Sequence, residues 1–233
     1  MQLRKLILPV AASVALLAGC TTQTPSSEPT TAAPTPEYNG VQDMDAEEIW
    51  QAAFDALADA QSYRLKGEGT MDDGQSLAID AVYAGDLAQG TITMSGLELE
   101  VILAEDGGYV RATEDFWRAN LPAEQADVLI PLLGDRYLKL PASEVEDFVI
   151  RPEDLFEDPQ GLAKGEITEY KGQPAITVTD SEGNELYVAL VGEPYPLASV
   201  SPDGTVEVLD IDEPVTIEAP PADDVFDATQ FLG

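Results

Sequence analysis

Histidine is absent from the 233 residues, and Cys20 is the only cysteine. Without imidazole there is no Ser-His-Asp or Cys-His nucleophile, no histidine general base and no histidine-liganded zinc. One thiol gives neither an internal disulfide nor a sulfur cluster for a metal. Positive charge is scarce too: 11 Lys and Arg stand against 44 Asp and Glu, a formal net charge of −33. No basic cluster interrupts that balance, and a surface so acidic repels phosphate backbones, which excludes nucleic-acid binding. What remains for catalysis is carboxylate, lysine, tyrosine and serine chemistry. Acidic pairs are numerous (Asp72/Asp73, Glu105/Asp106, Glu144/Glu146, Asp210/Asp212, Asp223/Asp224), but with 44 acidic residues such neighbours arise by number alone. A glycosidase needs two carboxyls facing each other across a cleft, which spacing along the chain does not supply. Asp180-Ser181-Glu182-Gly183-Asn184 lacks the sixth-position glycine and the distal glutamate of a calcium loop, and reads as a hairpin turn. The expectation is a protein without catalysis, cofactor or metal.

What is present begins with a leader. Arg4 and Lys5 precede an apolar run, Leu6 to Ala18, of thirteen residues. That is too short for a bilayer-spanning helix of about 20 residues and suits a secretory signal. It ends in Leu17-Ala18-Gly19-Cys20, which matches the bacterial lipobox. An ordinary signal followed by an incidental cysteine is the alternative. The lipobox implies cleavage before Cys20 and a thioether-linked diacylglycerol on it. Two acyl chains anchor a protein stably where one binds marginally. The expected location is therefore the outer leaflet of the cytoplasmic membrane, facing the cell envelope. Loss of the leader removes Arg4 and Lys5 and takes the net charge to −35.

Residues 1–19 are thus read as the signal peptide and 20–44 as the lipidated cysteine plus a linker. Thr21 to about Asn39 is rich in Thr, Pro, Ser and Ala with no apolar periodicity, and cannot bury enough surface to fold. As a flexible chain it spans about 25 Å. Residues 45–233 are read as one domain. Asp45 and Glu48 form a capping box ahead of a helix whose apolar face is Ile49, Ala53, Leu57 and Ala60, with Trp50 and Phe54 in a neighbouring stripe. After Ser62 the period changes from 3.6 to 2. Leu77, Ile79, Ala81 and Tyr83 alternate with less apolar residues, and short strands follow at Thr91–Met94, Leu97–Leu103 and Tyr109–Arg111, joined by Gly and Asp turns. A second helix is expected over 122–133, with Pro122 at its first position and Pro131 breaking its last turn. A short one is expected at Pro152–Phe156. Strands resume at Gly165–Tyr170, Ala175–Thr179, Leu186–Leu190, Leu197–Ser201 and Thr205–Leu209, with Val215–Ile217 and a short helix near Asp223–Gln230 at the end. This pattern is an antiparallel meander with one wet and one dry face. Strands apolar on both faces, with two convincing helices to cover them, leave two options open: a solid core or a lined cavity.

Particular stretches carry a resemblance. They are Tyr109-Val110-Arg111, Phe116-Trp117-Arg118, Tyr170-Lys171-Gly172, Leu186-Tyr187-Val188, Gly192-Glu193-Pro194-Tyr195-Pro196-Leu197, Pro202-Asp203-Gly204 and Ala219-Pro220-Pro221-Ala222-Asp223, following a lipobox and a Thr/Pro stalk. Over residues 45–227 the chain resembles the LppX/LprAFG-like lipoproteins of actinobacteria. It departs at Tyr137, where that resemblance leads one to expect tryptophan. The resemblance implies an α+β fold like that of the LolA/LolB carriers: a strongly curved antiparallel sheet, a half-barrel, with helices across its concave face. It also implies an apolar cavity for the acyl chains of a lipid or glycolipid, carried or presented in the envelope, with a membrane transporter or envelope protein as a further partner. The inward-facing candidates are Phe54, Leu57, Leu77, Ile79, Ile92, Met94, Leu99, Val101, Ile176, Val178, Leu186 and Val188, and the helix over 122–133 is a candidate gate. A one-residue slip would swap the strand faces. The alternative is a structural or adaptor lipoprotein with a filled core that binds an envelope protein.

Overall fold

The computed structural model describes residues 36–71, 74–152 and 161–228. The signal peptide, Cys20, the linker to residue 35, the Asp72/Asp73 pair and the helix expected at Pro152–Phe156 beyond its first residue lie outside the described residues. Helix α1, Ala46–Asp59, starts at the expected capping box. The Asp45 carboxylate accepts from the Glu48 N–H at 3.0 Å, and Glu48 Oε2 accepts from the Asp45 N–H at 3.1 Å. Ala46, Ile49, Ala53 and Leu57 form its buried face. The folded part begins before this helix, inside the stretch read as linker. Asn39 donates its N–H to the Leu190 carbonyl and its side-chain amide to Ala189 and Gly192, and Val41 is only 3% exposed. A single apolar residue followed by polar ones gives no periodicity, so this anchoring was invisible in the pattern.

Six strands follow in one meander: β1 Tyr63–Thr70, β2 Ser76–Ala84, β3 Leu87–Met94, β4 Leu97–Ala104, β5 Gly107–Ala112 and, after an interruption, β6 Tyr137–Leu140. The interruption holds α2, Glu114–Asn120, and α3, Ala123–Leu133; α4, Ala142–Val145, comes after β6. Five more strands form a second meander: β7 Ala163–Tyr170, β8 Gln173–Thr179, β9 Glu185–Ala189, β10 Pro196–Ser201 and β11 Gly204–Leu209. The two meanders join where β11 pairs with β1, Leu65 opposite Val208. A last strand, β12 Val225–Asp227, pairs in parallel with β6. The order is β12-β6-β5-β4-β3-β2-β1-β11-β10-β9-β8-β7, a curved, unclosed, mostly antiparallel sheet. This is the expected α+β half-barrel, with four α-helices among the described residues, of which α2 and α4 were not expected.

Three local expectations fail. Helix α3 starts one residue later, with Pro122 as its N-cap, and runs past Pro131 to Leu133. A proline so near the end removes only one backbone bond, and the Gly134 N–H still reaches the Ile130 carbonyl at 3.0 Å. Val215–Ile217 is not a strand. Instead Ile217 packs on Ile102, Ala104, Tyr109 and Tyr137, so this segment straps the outer face of the sheet. Up to residue 228 the terminal helix is replaced by a 3-10 turn, Ala222–Asp224, and β12, and its last two expected residues lie outside the described ones. Pro220 and Pro221 withhold N–H donors, whereas Val225 and Phe226 suit the free edge of β6.

The concave face is covered in two parts. Under α2, α3 and α4 lies a core built from Leu65, Ile79, Ile92, Leu99, Val101 and Val110, closed by Phe116, Leu133 and Val145. Under α1 lies a second, with Ile49 and Ala53 on Ile176, Val178, Leu186 and Val188. No helix among the described residues is long and apolar enough to cross a membrane.

Candidate ligand cavity

Between these two cores the concave face is left open by glycine. Strand β1 alternates Arg64, Lys66 and Glu68 outward with Leu65, Gly67 and Gly69 inward, and β11 sets Gly204 and Val206 beside them. A Cβ on Gly67 would lie 2.4 Å from the Thr205 carbonyl oxygen, and one on Gly204 would lie 2.4 Å from that of Glu68. Neighbouring backbones therefore occupy the space that side chains would need, and Gly67, Gly69 and Gly204 project nothing into the bowl. The result is a cavity of about 550 Å³.

Its floor is apolar: Leu77 and Ile79 on β2, Val206 on β11, Leu186 on β9 and Val178 on β8. Trp50 of α1 forms one wall, its ring 4.5 Å from that of Phe54, and Leu162 adds to the lining. Ser199 and Ser201 of β10 add hydroxyls. The mouth lies where the β1–β2, β8–β9 and β10–β11 connections come together. Thr70 and Met71, the Asp180–Asn184 turn and Asp203 line it. The Asp180 carboxylate organises its own turn, accepting from the N–H groups of Glu182 at 2.8 Å and Asn184 at 3.0 Å and from the Asn184 amide at 2.7 Å. Burial works against its charge, but those donors outweigh it and hold the carboxyl below its ordinary value.

Of the twelve candidates for an inward face, Leu77, Ile79, Val178 and Leu186 line this cavity. Leu57, Ile92, Leu99 and Val101 are buried in the solid core, with Met94 packed against it. Ile176 and Val188 are buried under α1, and Phe54 packs at the side of that cluster. The register puts Ile79 opposite Ile92 and Val178 opposite Leu186, so each pair shares one face of the sheet. Helix α3 packs on α2 and contributes no lining residue, so it does not stand at the mouth. Sequence reasoning missed Trp50 as lining and missed β1 altogether. The alternation of charge at 64, 66 and 68 was its signal, masked by glycine at the inward positions. Among the described residues there is no metal-ligating cluster.

No protein-family model matches the chain, and no curated protein matches its sequence. Solved structures do. LprF from Mycobacterium bovis superposes with a TM-score of 0.53 at 12% identity, covering 76% of this chain and 97% of that one. The chain has the LprF fold. That agrees with the fold implied by the resemblance in the sequence, at an identity where the backbone alone is shared. The Mycobacterium tuberculosis lipoprotein LppX matches with a TM-score of 0.46 at 14% identity, over 73% of this chain and 97% of its own. An uncharacterized conserved protein from Thermus thermophilus gives 0.39 at 12%, over 78% and 98%.

Proposed function

We propose that this chain is an envelope lipoprotein, anchored through acylated Cys20, that takes the acyl chains of a lipid or glycolipid into the cavity and carries or presents them without catalysis. The observation that carries this reading is the hollow itself: about 550 Å³ with an apolar floor, within the range of about 300–1,000 Å³ of small-ligand pockets. Each methylene moved from the bilayer to that floor exchanges one apolar environment for another. Its water-to-oil value of about 0.8 kcal/mol is retained, so loading and release are both energetically accessible. A volume of this size suits a single tail or a small amphiphile. The LprF fold and the name lipoprotein borne by LppX are in keeping with the reading. The adaptor reading needs a filled concave face, a requirement met over β3–β6 and not over β1, β11 and β10.

Native mass spectrometry of the full chain, gently extracted from membranes, tests it. Bound lipid is expected, and it is lost in Leu77→Trp and in Ile79→Trp, whose indoles fill the floor. Leu77 is only half-buried, so that variant has room to adjust and remain folded, as circular dichroism verifies. Absence of lipid, together with no uptake of a fluorescent fatty acid, overturns the proposal. Cys20→Ser should release the chain from the membrane fraction.

A further inference from the structure

The mouth of the cavity carries charge of one sign. Asp180, Glu182 and Asp203 line it, and no lysine or arginine does so among the described residues. The cations that could have balanced them are engaged elsewhere. Lys66 of β1 turns to the outer face and meets Asp80 at 3.0 Å. Arg64 grips the same carboxylate at 2.6 Å. Lys171 reaches Glu207 at 2.5 Å, and Lys164 donates to the Met44 carbonyl at 2.7 Å. In a chain with 11 basic residues, this commitment to other partners leaves the mouth uncompensated. A cleft lined by like charges between low-dielectric walls focuses its field on whatever enters.

An amphiphile whose tail lies on the floor of Ile79, Val178 and Leu186 brings its headgroup level with those carboxylates. We infer that the cavity selects an amphiphile with a positively charged, ammonium-bearing headgroup and discriminates against anionic ones. This rests on the acyl-chain reading above and narrows it. An anionic headgroup at the mouth would face three carboxylates with no donor of opposite charge, whereas an ammonium meets acceptors on several sides. An uncharged headgroup falls between.

The experiment uses the full chain in neutral detergent and three fluorescent lipids with identical acyl chains. Their headgroups are trimethylammonium, the free hydroxyl of diacylglycerol, and phosphoglycerol. At low ionic strength the cationic lipid is expected to bind at least about tenfold more tightly than the anionic one, with diacylglycerol between. The ratio should shrink towards one at about 1 M salt, where the Debye length is about 3 Å. In the combined variant Glu182→Gln, Asp203→Asn the ratio should collapse. Both side chains are exposed, so no packing is disturbed. A control that removes the same charge from exposed glutamates away from the cavity (Glu98→Gln, Glu166→Gln) should preserve the ratio. Equal or tighter binding of the anionic lipid overturns the inference, as does anionic binding that appears only on addition of calcium. Diacylglycerol bound with no headgroup order sinks the selectivity alone, whereas failure of all three lipids sinks the acyl-chain reading with it.

Discussion

Gly67 shows how one residue shapes both the sheet and the hollow. It faces inward between Ile79 on β2 and Val206 on β11. Its missing Cβ would meet the Thr205 oxygen at 2.4 Å and the Val206 Cα at 2.7 Å, both backbone atoms that cannot rotate away. Gly67→Ala therefore has to push β1 and β11 apart, and overpacking of this kind costs about 1–3 kcal/mol. Equilibrium urea unfolding should show that loss. At Gly69 the nearest atom, the Asp203 oxygen, lies 3.0 Å away, so Gly69→Ala should cost less. Equal midpoints for the two variants would mean that the strand crossing is looser than this geometry. Val178 presents the complementary case. It is 1% exposed yet borders the cavity, so truncating it to alanine both weakens the second core and deepens the hollow.

At the scale of the element, α1 is the piece that the sequence announced best. Its cap, its face and its length all follow from Asp45, Glu48 and the spacing of Ile49, Ala53 and Leu57. Asp45→Ala removes the acceptor for the Glu48 N–H and should lower stability by about 1 kcal/mol in the same urea assay, with Asp45→Asn largely preserving it. Strand β2 was equally readable, because Ile79, Ala81 and Tyr83 are buried one after another along one face. The failures have physical causes of their own. β1 hides because two of its inward positions are glycine, which carries no hydropathy signal however well the backbone pairs. Val215–Ile217 alternates like a strand but finds no unpaired partner; Ile217 instead lays its apolar surface into the strap over Ile102 and Tyr137. If that strap pins β12, Ile217→Ala should speed amide exchange at Val225–Asp227 more than at β2. The cavity was half legible: four floor residues were named, while its acidic mouth depends on three connections meeting in space, which spacing along the chain does not encode.

At the scale of the whole molecule, several of the few cations act as rivets on the outer face of the sheet, and these shape its response to pH. Arg111 binds Glu100 through two nitrogens, at 2.6 and 3.0 Å, and the Tyr137 hydroxyl donates to the same carboxylate at 2.8 Å. Burial opposes the charge on Glu100, yet Arg111 and Tyr137 outweigh it and hold the carboxyl below its ordinary 4.5. On Asp80, hydrogen bonding from Arg64 acts in the same direction. A carboxyl lowered in the folded state contributes stability that is present above its unfolded value and disappears as pH falls through the folded one. These rivets should therefore loosen only below about pH 4.5. At the other end, burial, reinforced by the bonds to Glu100 and Asp212, raises the Tyr137 and Tyr195 hydroxyls from 10.0 to about 12. A tyrosine raised on folding stabilises below 10.0, and its contribution drains away as pH climbs from there through about 12. Lys139, raised by its bond to Asp106, acts in the same sense. The urea midpoint should thus be level from about pH 5 to 9.5 and fall beyond 10. Because lysine and tyrosine share that sign, Tyr137→Phe and Tyr195→Phe tell them apart: together they should flatten the alkaline fall and leave the acid limb as it is. An unchanged alkaline slope in the double variant would leave these two hydroxyls without a part in it.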